Sequence, residues 1–447
     1  MSTQTDQLVD LLYSTSLLPL SEQQQYTCRL RLLDYMGVTY AGAKLLEKEL
    51  AAKYQFSGAN HGNSAIVGTP WYTSPETASL MNGMSAHAAE LDDGERYGMV
   101  HPGAPVISAV LAIVQARKLN LDALLKGIYV GYEASILLAR LLQPTMKDKG
   151  YHATGTCGSI GAAMGVAAAC DFTRQQMKST FCAAVTSSSG ILKVIRGASE
   201  LKPYNVGQAA MNGVAAAGVA AMNLNSPEDV LEGEQGFFCM MTGNASLSIG
   251  DIQPANAVER VYIKPYAACR HCHGPIEAVL TLREHGGFSL QDIESISITT
   301  HRYAVYLHDH VIIEGSASAK MSVPYSVAVA LVTGRAGMQE FSDTSVTDPT
   351  ILALTHKIHM HADEELTALV PGKRAAIVEI RTHQGDTFTA RVDLPKGEPE
   401  NPVNEQELIE KFCDLAVFSG KEQEKAKWEA LQILQAEWPA AIFKGKA

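Results

Sequence analysis

The pattern of apolar and polar positions divides the chain near residue 250. Before that point, apolar residues recur every three or four positions, the period of a helix face. Ser21, with Gln24 three residues on, gives a capping-box signature, and YTCRLRLLDYMGVTYAGA follows with helical spacing. Ser74-Pro75-Glu76 combines a cap, a first-turn proline and a first-turn acid, starting a helix that should run to about Leu91. The spacing predicts further helices at 104–117, 121–142, 156–169, 173–188, 204–223 and 226–232. Several are dense in Ala and Gly, such as GSIGAAMGVAAA, which lets helix axes approach closely.

After residue 250 the period changes. Val258–Ile263 and Ile293–Thr299 alternate like strands, and Ala376–Thr382 and Thr387–Val392 flank Gln384-Gly385-Asp386, a hairpin signal. Helical spacing fills 274–285 and 322–333, and returns after the Pro-rich KGEPENP at Asn404–Leu415 and Glu422–Leu434. The expected fold is mainly α: a large all-helical domain of residues 1–250 and 400–447, with a smaller α+β domain of 255–395.

Composition narrows the function. The 447 residues carry 47 acidic and 36 basic side chains, a net charge of −11, and no run of five like charges. Nucleic acid and anionic membranes call for a basic surface, so neither is an expected partner. An anionic substrate then needs a local basic pocket. The N-terminal MSTQTDQLVDLLYSTSLLPL has no basic leader and no long apolar run, and Ala209–Met222 is too rich in Ala and Gly for a membrane span. The eight scattered cysteines read as reduced thiols, which places the protein in the cytoplasm.

Four stretches hold candidate chemistry. Glu90, Asp92 and Asp93 stand at a helix C-terminus, where the dipole disfavours acids, and precede His101-Pro-Gly-Ala-Pro. Taken alone they read as solvated. Tyr151 and His152 open a Gly/Thr-rich helix start, where free N–H groups attract anions. Lys202 precedes Pro203 at another helix start, poised for a carboxylate or simply exposed. Lys264-Pro-Tyr-Ala-Ala-Cys269-Arg270-His271-Cys272-His273 is the densest of the four. Its C-x-x-C-H matches a haem-attachment signature, but attachment normally occurs outside the cytoplasm. Its Cys and His residues also suit zinc, although their spacing departs from the usual finger. Acid–base chemistry is the third reading. Ser322-Val-Pro324-Tyr325 places Tyr325 in the first turn of a helix.

The order ELDD…HPGAP, YHATGTCGSIGAA, Lys-Pro-aromatic-x-x-Gly, KPYAAC…H and S-x-P-Y resembles the MmgE/PrpD family over about residues 1–420. That family includes 2-methylcitrate dehydratase, cis-aconitate decarboxylase and iminodisuccinate epimerase. The resemblance implies a helical domain with an α+β lid, a homodimer, no cofactor or metal, and a small anionic carboxylate substrate bound between the domains. It implies catalytic roles for His152, Tyr151, Lys202, His101, Cys269, His271 and Tyr325. It implies substrate binding by Glu90, Asp92, Asp93, Lys264, Arg270 and His273. The shared chemistry is proton movement at a carbon α to a carboxylate, which needs a base, an acid and cationic partners for the enediolate. His152 is the first choice for base or acid, and Lys202 and Lys264 for holding carboxylates. The dehydratases carry P-A-E-F-H where this chain has Ala267-Ala-Cys269-Arg270-His271, and H-P-S-D-N where it has His101-Pro-Gly-Ala-Pro. The decarboxylases carry His at the place of Cys269 and Thr at that of Gly94. The K-P-Y-x-x-C form resembles the epimerase branch, with Cys269 as an acid–base thiol or as inert packing. The expected activity is therefore an iminodisuccinate-type epimerase. Dehydratase and decarboxylase are the alternatives, and a non-catalytic carboxylate-binding protein is a reading of another class.

Overall fold

The computed structural model describes residues 2–58, 62–195, 199–222, 224–250 and 253–436. The chain forms two compact units, one of Met1–Val261 with Asn404–Ala447 and the other of Tyr262–Val403.

The first unit is a pack of helices with one short ribbon, Ser64–Ala65 paired to Tyr72–Thr73. At its centre lies helix Ala153–Ala169, every residue of which is buried. Such a helix carries no charged side chain and is rich in Ala and Gly, which suits burial on every face. Its neighbour is Leu121–Leu142. A Cβ on Gly161 would stand 2.7 Å from the carbonyl of Gly131, and one on Gly165 would stand 2.7 Å from that of Gly127. Two glycines four apart on each helix thus let the backbones touch. The C-terminal helices return to this unit: Lys411, in Glu405–Phe418, pairs with buried Asp34 at 2.5 Å, and Arg29 donates to the Ile433 carbonyl at 2.8 Å.

The predicted caps are present. Ser21 and Gln24 form the reciprocal box, and Ser74 accepts from the Thr77 N–H. Two predicted elements are corrected. Residues 226–232 are a loop: the Asp229 carboxylate accepts from the Leu231 N–H at 3.1 Å, and Thr5 accepts from the Val230 N–H at 3.0 Å. Those bonds replace the ones a helix would have made. Val258–Ile263 is not a strand. A single 3₁₀ turn, Ala257–Glu259, forms instead, with the Ala255 and Ala257 N–H groups donated to buried Glu133 at 3.0 and 2.6 Å.

The second unit holds a four-stranded sheet in the spatial order Ile358–Ala362, Ile293–Thr300, Ala376–Thr382, Thr387–Val392. The first pair is parallel, with Ile296 opposite Ile358, and the other two pairs are antiparallel, with Ile298 opposite Val378 and Val378 opposite Ala390. The strand Ile358–Ala362 escapes sequence reading because His359 and His361 interrupt its apolar run. Alternation buries Ile293, Ile296, Ile298, Val378 and Ile380. Helices His273–His285 and Val323–Thr333 complete the unit's core.

Candidate functional site

In the helical unit, helix Pro75–Ala88 ends in a left-handed residue, Glu90, with φ 58°. A non-glycine residue held there carries local strain, and its carboxylate forms a close ion pair with Lys202. Lys202 sits in the first turn of Lys202–Val219, where the helix dipole disfavours a cation, so Glu90 offsets that cost. The neighbouring acids are not solvated as their helix-end position suggested: Asp92 is 2% exposed and Asp93 4%. Asp92 accepts from His87 Nδ1 at 2.7 Å. Asp93 accepts from the Gly103 N–H at 3.0 Å and the Tyr132 hydroxyl at 2.6 Å. Burial pushes the Asp93 carboxyl up to about 7, even though the Tyr132 hydrogen bond pulls the other way.

His101 donates through Nδ1 to the Asp93 carbonyl at 2.6 Å, and its own N–H is held by Thr154 Oγ1 at 3.1 Å. That bond joins the HPGAP and YHATGT segments. His152 immediately precedes the central helix, and Tyr151, beside it, bridges to Ile191 through backbone. The His152 ring donates through Nδ1 to Asn205 Oδ1 at 2.6 Å, which leaves Nε2 as the accepting nitrogen. Burial pulls this imidazole down to about 4, against the Asn205 bond, and the charges of His87 and Lys202 act in the same direction as burial. His152 is therefore neutral at pH 7, the form a base requires. A small polar cavity, with room for about one water, lies between Arg31, Asp34, Asp92, Asp93 and Tyr132. It is too small for a dicarboxylate and belongs to the buried charge network.

In the α+β unit, the Cys269 N–H donates to the Lys320 carbonyl, and the Cys272 N–H turns back to the Cys269 carbonyl, both at 2.8 Å. The resulting 3₁₀ turn, Arg270–Cys272, leads into helix His273–His285. Strand Ile293–Thr300 ends at His301, which starts the short helix Arg302–His308. His308 donates through Nδ1 to the Met321 carbonyl at 2.7 Å, so its Nε2 faces the Cys269 thiol, 3.8 Å away. Burial alone would push this thiol up. The facing His308, the His271 N–H and buried Lys264 outweigh it and hold the thiol at about 6. His271 Nδ1 lies 3.4 Å from His301 Nε2, and burial pulls His301 down to about 4.

Three expected site residues have their polar atoms engaged by the protein itself. Arg270 makes a buried ion pair with Glu398 at 2.7 Å and donates to His273 Nδ1 at 2.8 Å and to the Lys396 carbonyl at 3.3 Å. His273 spends its other nitrogen on the Ala268 carbonyl at 3.1 Å. The Tyr325 hydroxyl donates to the Glu340 carbonyl at 2.9 Å. In this structure they brace the turn and its helix, and substrate binding by Arg270 and His273 and a catalytic role for Tyr325 stay proposals. Sequence reading missed His87, Asn205, His301 and His308. The histidine-rich HRYAVYLHDH was the available signal for the last two.

Among the described residues, two groups place donor atoms within 4.8 Å of one another, as a metal ion would need: Cys269, His271 and His308, and His87, Asp92 and His101. No described helix is long and apolar enough to cross a membrane.

The chain folds into two units, one helical and one α+β, and is mainly α. The MmgE/PrpD N-terminal domain matches residues 6–250 and the MmgE/PrpD C-terminal domain matches 266–436, so the chain belongs to the MmgE/PrpD family. It is 24% identical to the cis-aconitate decarboxylase of Aspergillus terreus over 418 residues, covering 86% of this chain and 83% of that one. The human protein of the same name is 24% identical over 408 residues, covering 85% and 81%. The mouse one is 22% identical over 411 residues, covering 85% and 80%.

Proposed function

We propose that this chain is a cofactor-independent enzyme that moves a proton at a carbon α to a carboxylate of a small di- or tricarboxylate. One observation carries the reading. The Cys269 thiol faces an imidazole, His308 Nε2, whose other nitrogen is held by a backbone carbonyl. This is the oriented thiol–base pair that acid–base and nucleophilic cysteines use. A thiol with a high pKa is almost wholly protonated at pH 7 and cannot act as the base; at about 6 the thiolate is populated to take a proton and the thiol it becomes can return one. Buried Lys264 and the Lys202 ammonium are the cations proposed to hold substrate carboxylates, and neutral His152 is the proposed imidazole base. Glu90, Asp92, Asp93, His101, Tyr151 and His271 are proposed to shape and polarise these groups.

Within that chemistry, the thiol favours epimerisation of an iminodisuccinate-type substrate. The named relatives favour a second reading, decarboxylation of a cis-aconitate-type acid. Against it stands Cys269, where the resemblance puts histidine in the decarboxylases. Both readings use no metal, and a homodimer in the cytoplasm completes the proposal.

Proton NMR in D2O separates the possibilities. Epimerisation gives exchange of the α-hydrogen with the carbon skeleton intact. Loss of CO2 with deuterium at the vacated carbon establishes the decarboxylase instead. In either case Cys269→Ala should lower the rate about 10²–10⁴-fold. Binding of di- and tricarboxylates with neither exchange nor CO2 release sinks the enzyme reading in favour of a carboxylate-binding protein. Stoichiometric metal in the purified protein, with activity lost on chelation, contradicts the metal-free mechanism.

A further inference from the structure

The proton-transfer reading uses one cysteine of the C-x-x-C turn and leaves Cys272 without a task. Cys272 lies three residues after Cys269, and its N–H closes the turn on the Cys269 carbonyl at 2.8 Å. A turn closed that way brings the two Cα atoms within about 7 Å. A disulfide spans Cα separations of about 4.4–6.8 Å, so backbone geometry admits a bridge here. Both residues also address one group: the Cys269 N–H donates to the Lys320 carbonyl at 2.8 Å, and the Cys272 thiol lies 4.0 Å from the same oxygen. Their accessibility differs in the useful order. Cys269 is partly exposed and Cys272 is buried. Cys269, beside the His308 imidazole, meets an incoming oxidant first, and Cys272 is held behind it.

We propose that Cys269 and Cys272 form a reversible redox pair, closed by a low-molecular-weight disulfide such as glutathione disulfide and reopened by dithiols. The Cys269 thiolate attacks one sulfur of the small disulfide, forming a mixed disulfide and expelling one small thiolate. The Cys272 thiol then loses its proton to a departing thiolate, and its sulfur attacks Cys269 Sγ, expelling the second small thiol. Two protein thiols are oxidised, one small disulfide is reduced to two thiols, and atoms and electrons balance. Closure removes the Cys269 thiol from proton transfer, so oxidation switches the enzyme off. That consequence rests on the function proposed above; the bridge itself does not.

The test treats the full-length protein with excess glutathione disulfide and reads intact mass, then peptide mass after digestion. Expected is a protein about 2 Da lighter, with Cys269 and Cys272 joined in one peptide and both thiols restored by dithiothreitol. Cys272→Ala should instead retain a glutathione adduct on Cys269, and Cys269→Ala should leave Cys272 unmodified. A wild-type protein that stops at the Cys269 adduct, or that is oxidised first at Cys239 or another cysteine, overturns the proposal. A closed pair in a protein that neither exchanges substrate hydrogen nor releases CO2 overturns the proposed function and leaves the redox pair standing. An active protein whose Cys269 and Cys272 never join does the reverse.

Discussion

The two units bury ionisable groups under opposite rules. In the helical unit, Asp93 lies among other acids, and burial drives its carboxyl up to about 7. In the α+β unit, desolvation also pushes the partly exposed Cys269 thiol up, yet the facing His308 and the charge of Lys264 bring it down to about 6. Burial acts the same way in both places, favouring the neutral form. What differs is the neighbouring charge: Asp34 and Asp92 add to burial at Asp93, whereas His308 and Lys264 oppose it at Cys269. Asp93 of the helical unit is therefore pushed towards its protonated form, and Cys269 of the α+β unit towards its thiolate. The contrast fits the proposal that the helical unit's acid network serves structure and tuning, and the Cys269 turn serves chemistry.

The largest expected effect breaks the structural side. Asp34 is 3% exposed, and its cation is Lys411, which also donates to the Leu91 carbonyl at 2.9 Å. Lys411→Met removes that cation from a buried carboxylate and should cost about 3–5 kcal/mol in urea-induced unfolding. An unchanged midpoint would mean that Asp34 is carried neutral and the C-terminal helices dock without the pair.

The next effect sharpens the pH contrast. The folded-state pKa of Asp93, about 7, lies above its ordinary 3.8, so between those values the folded chain holds a proton that the unfolded chain has lost. Stability is then highest below about pH 4 and declines as pH rises through about 7, by up to about 4 kcal/mol from this group. Asp93→Asn should flatten that decline while keeping partners for the Gly103 N–H and the Tyr132 hydroxyl. An equally steep decline in the variant would assign it to Asp34, Glu95 and Glu133, whose carboxyls burial also raises.

A smaller effect concerns His152. Asn205→Ala removes the acceptor that sets its tautomer, and should lower kcat about tenfold or more with little change in KM. Equal loss in KM would make Asn205 part of substrate binding instead.

Much of the fold was legible because its signals are local. The cap at Ser21, the Ser-Pro-Glu start at 74–76, the Gly385 turn with φ 90° and the alternation of Ile293–Thr300 depend only on neighbours in sequence. The elements that failed were decided by distant partners: Glu133 captured the N–H groups before Val258, and Thr5 captured those near Val230. The candidate site divides the same way. Cys269, His152 and Lys202 stood out by type and motif order. Their partners His308, Asn205 and Glu90 lie 39, 53 and 112 residues away, and only folding brings them together. Arg270, His273 and Tyr325 looked equally reactive in sequence, but the protein uses their polar atoms internally.

The central claim is that His308 activates Cys269. The pH dependence of Cys269 alkylation by iodoacetamide, followed by peptide mass spectrometry, tests it without any substrate. The wild-type rate should reach half its maximum near about pH 6, and His308→Gln should move that midpoint up towards the ordinary thiol value of about 8.5. A wild-type midpoint already near the ordinary value, or one that His308→Gln leaves in place, would contradict the account.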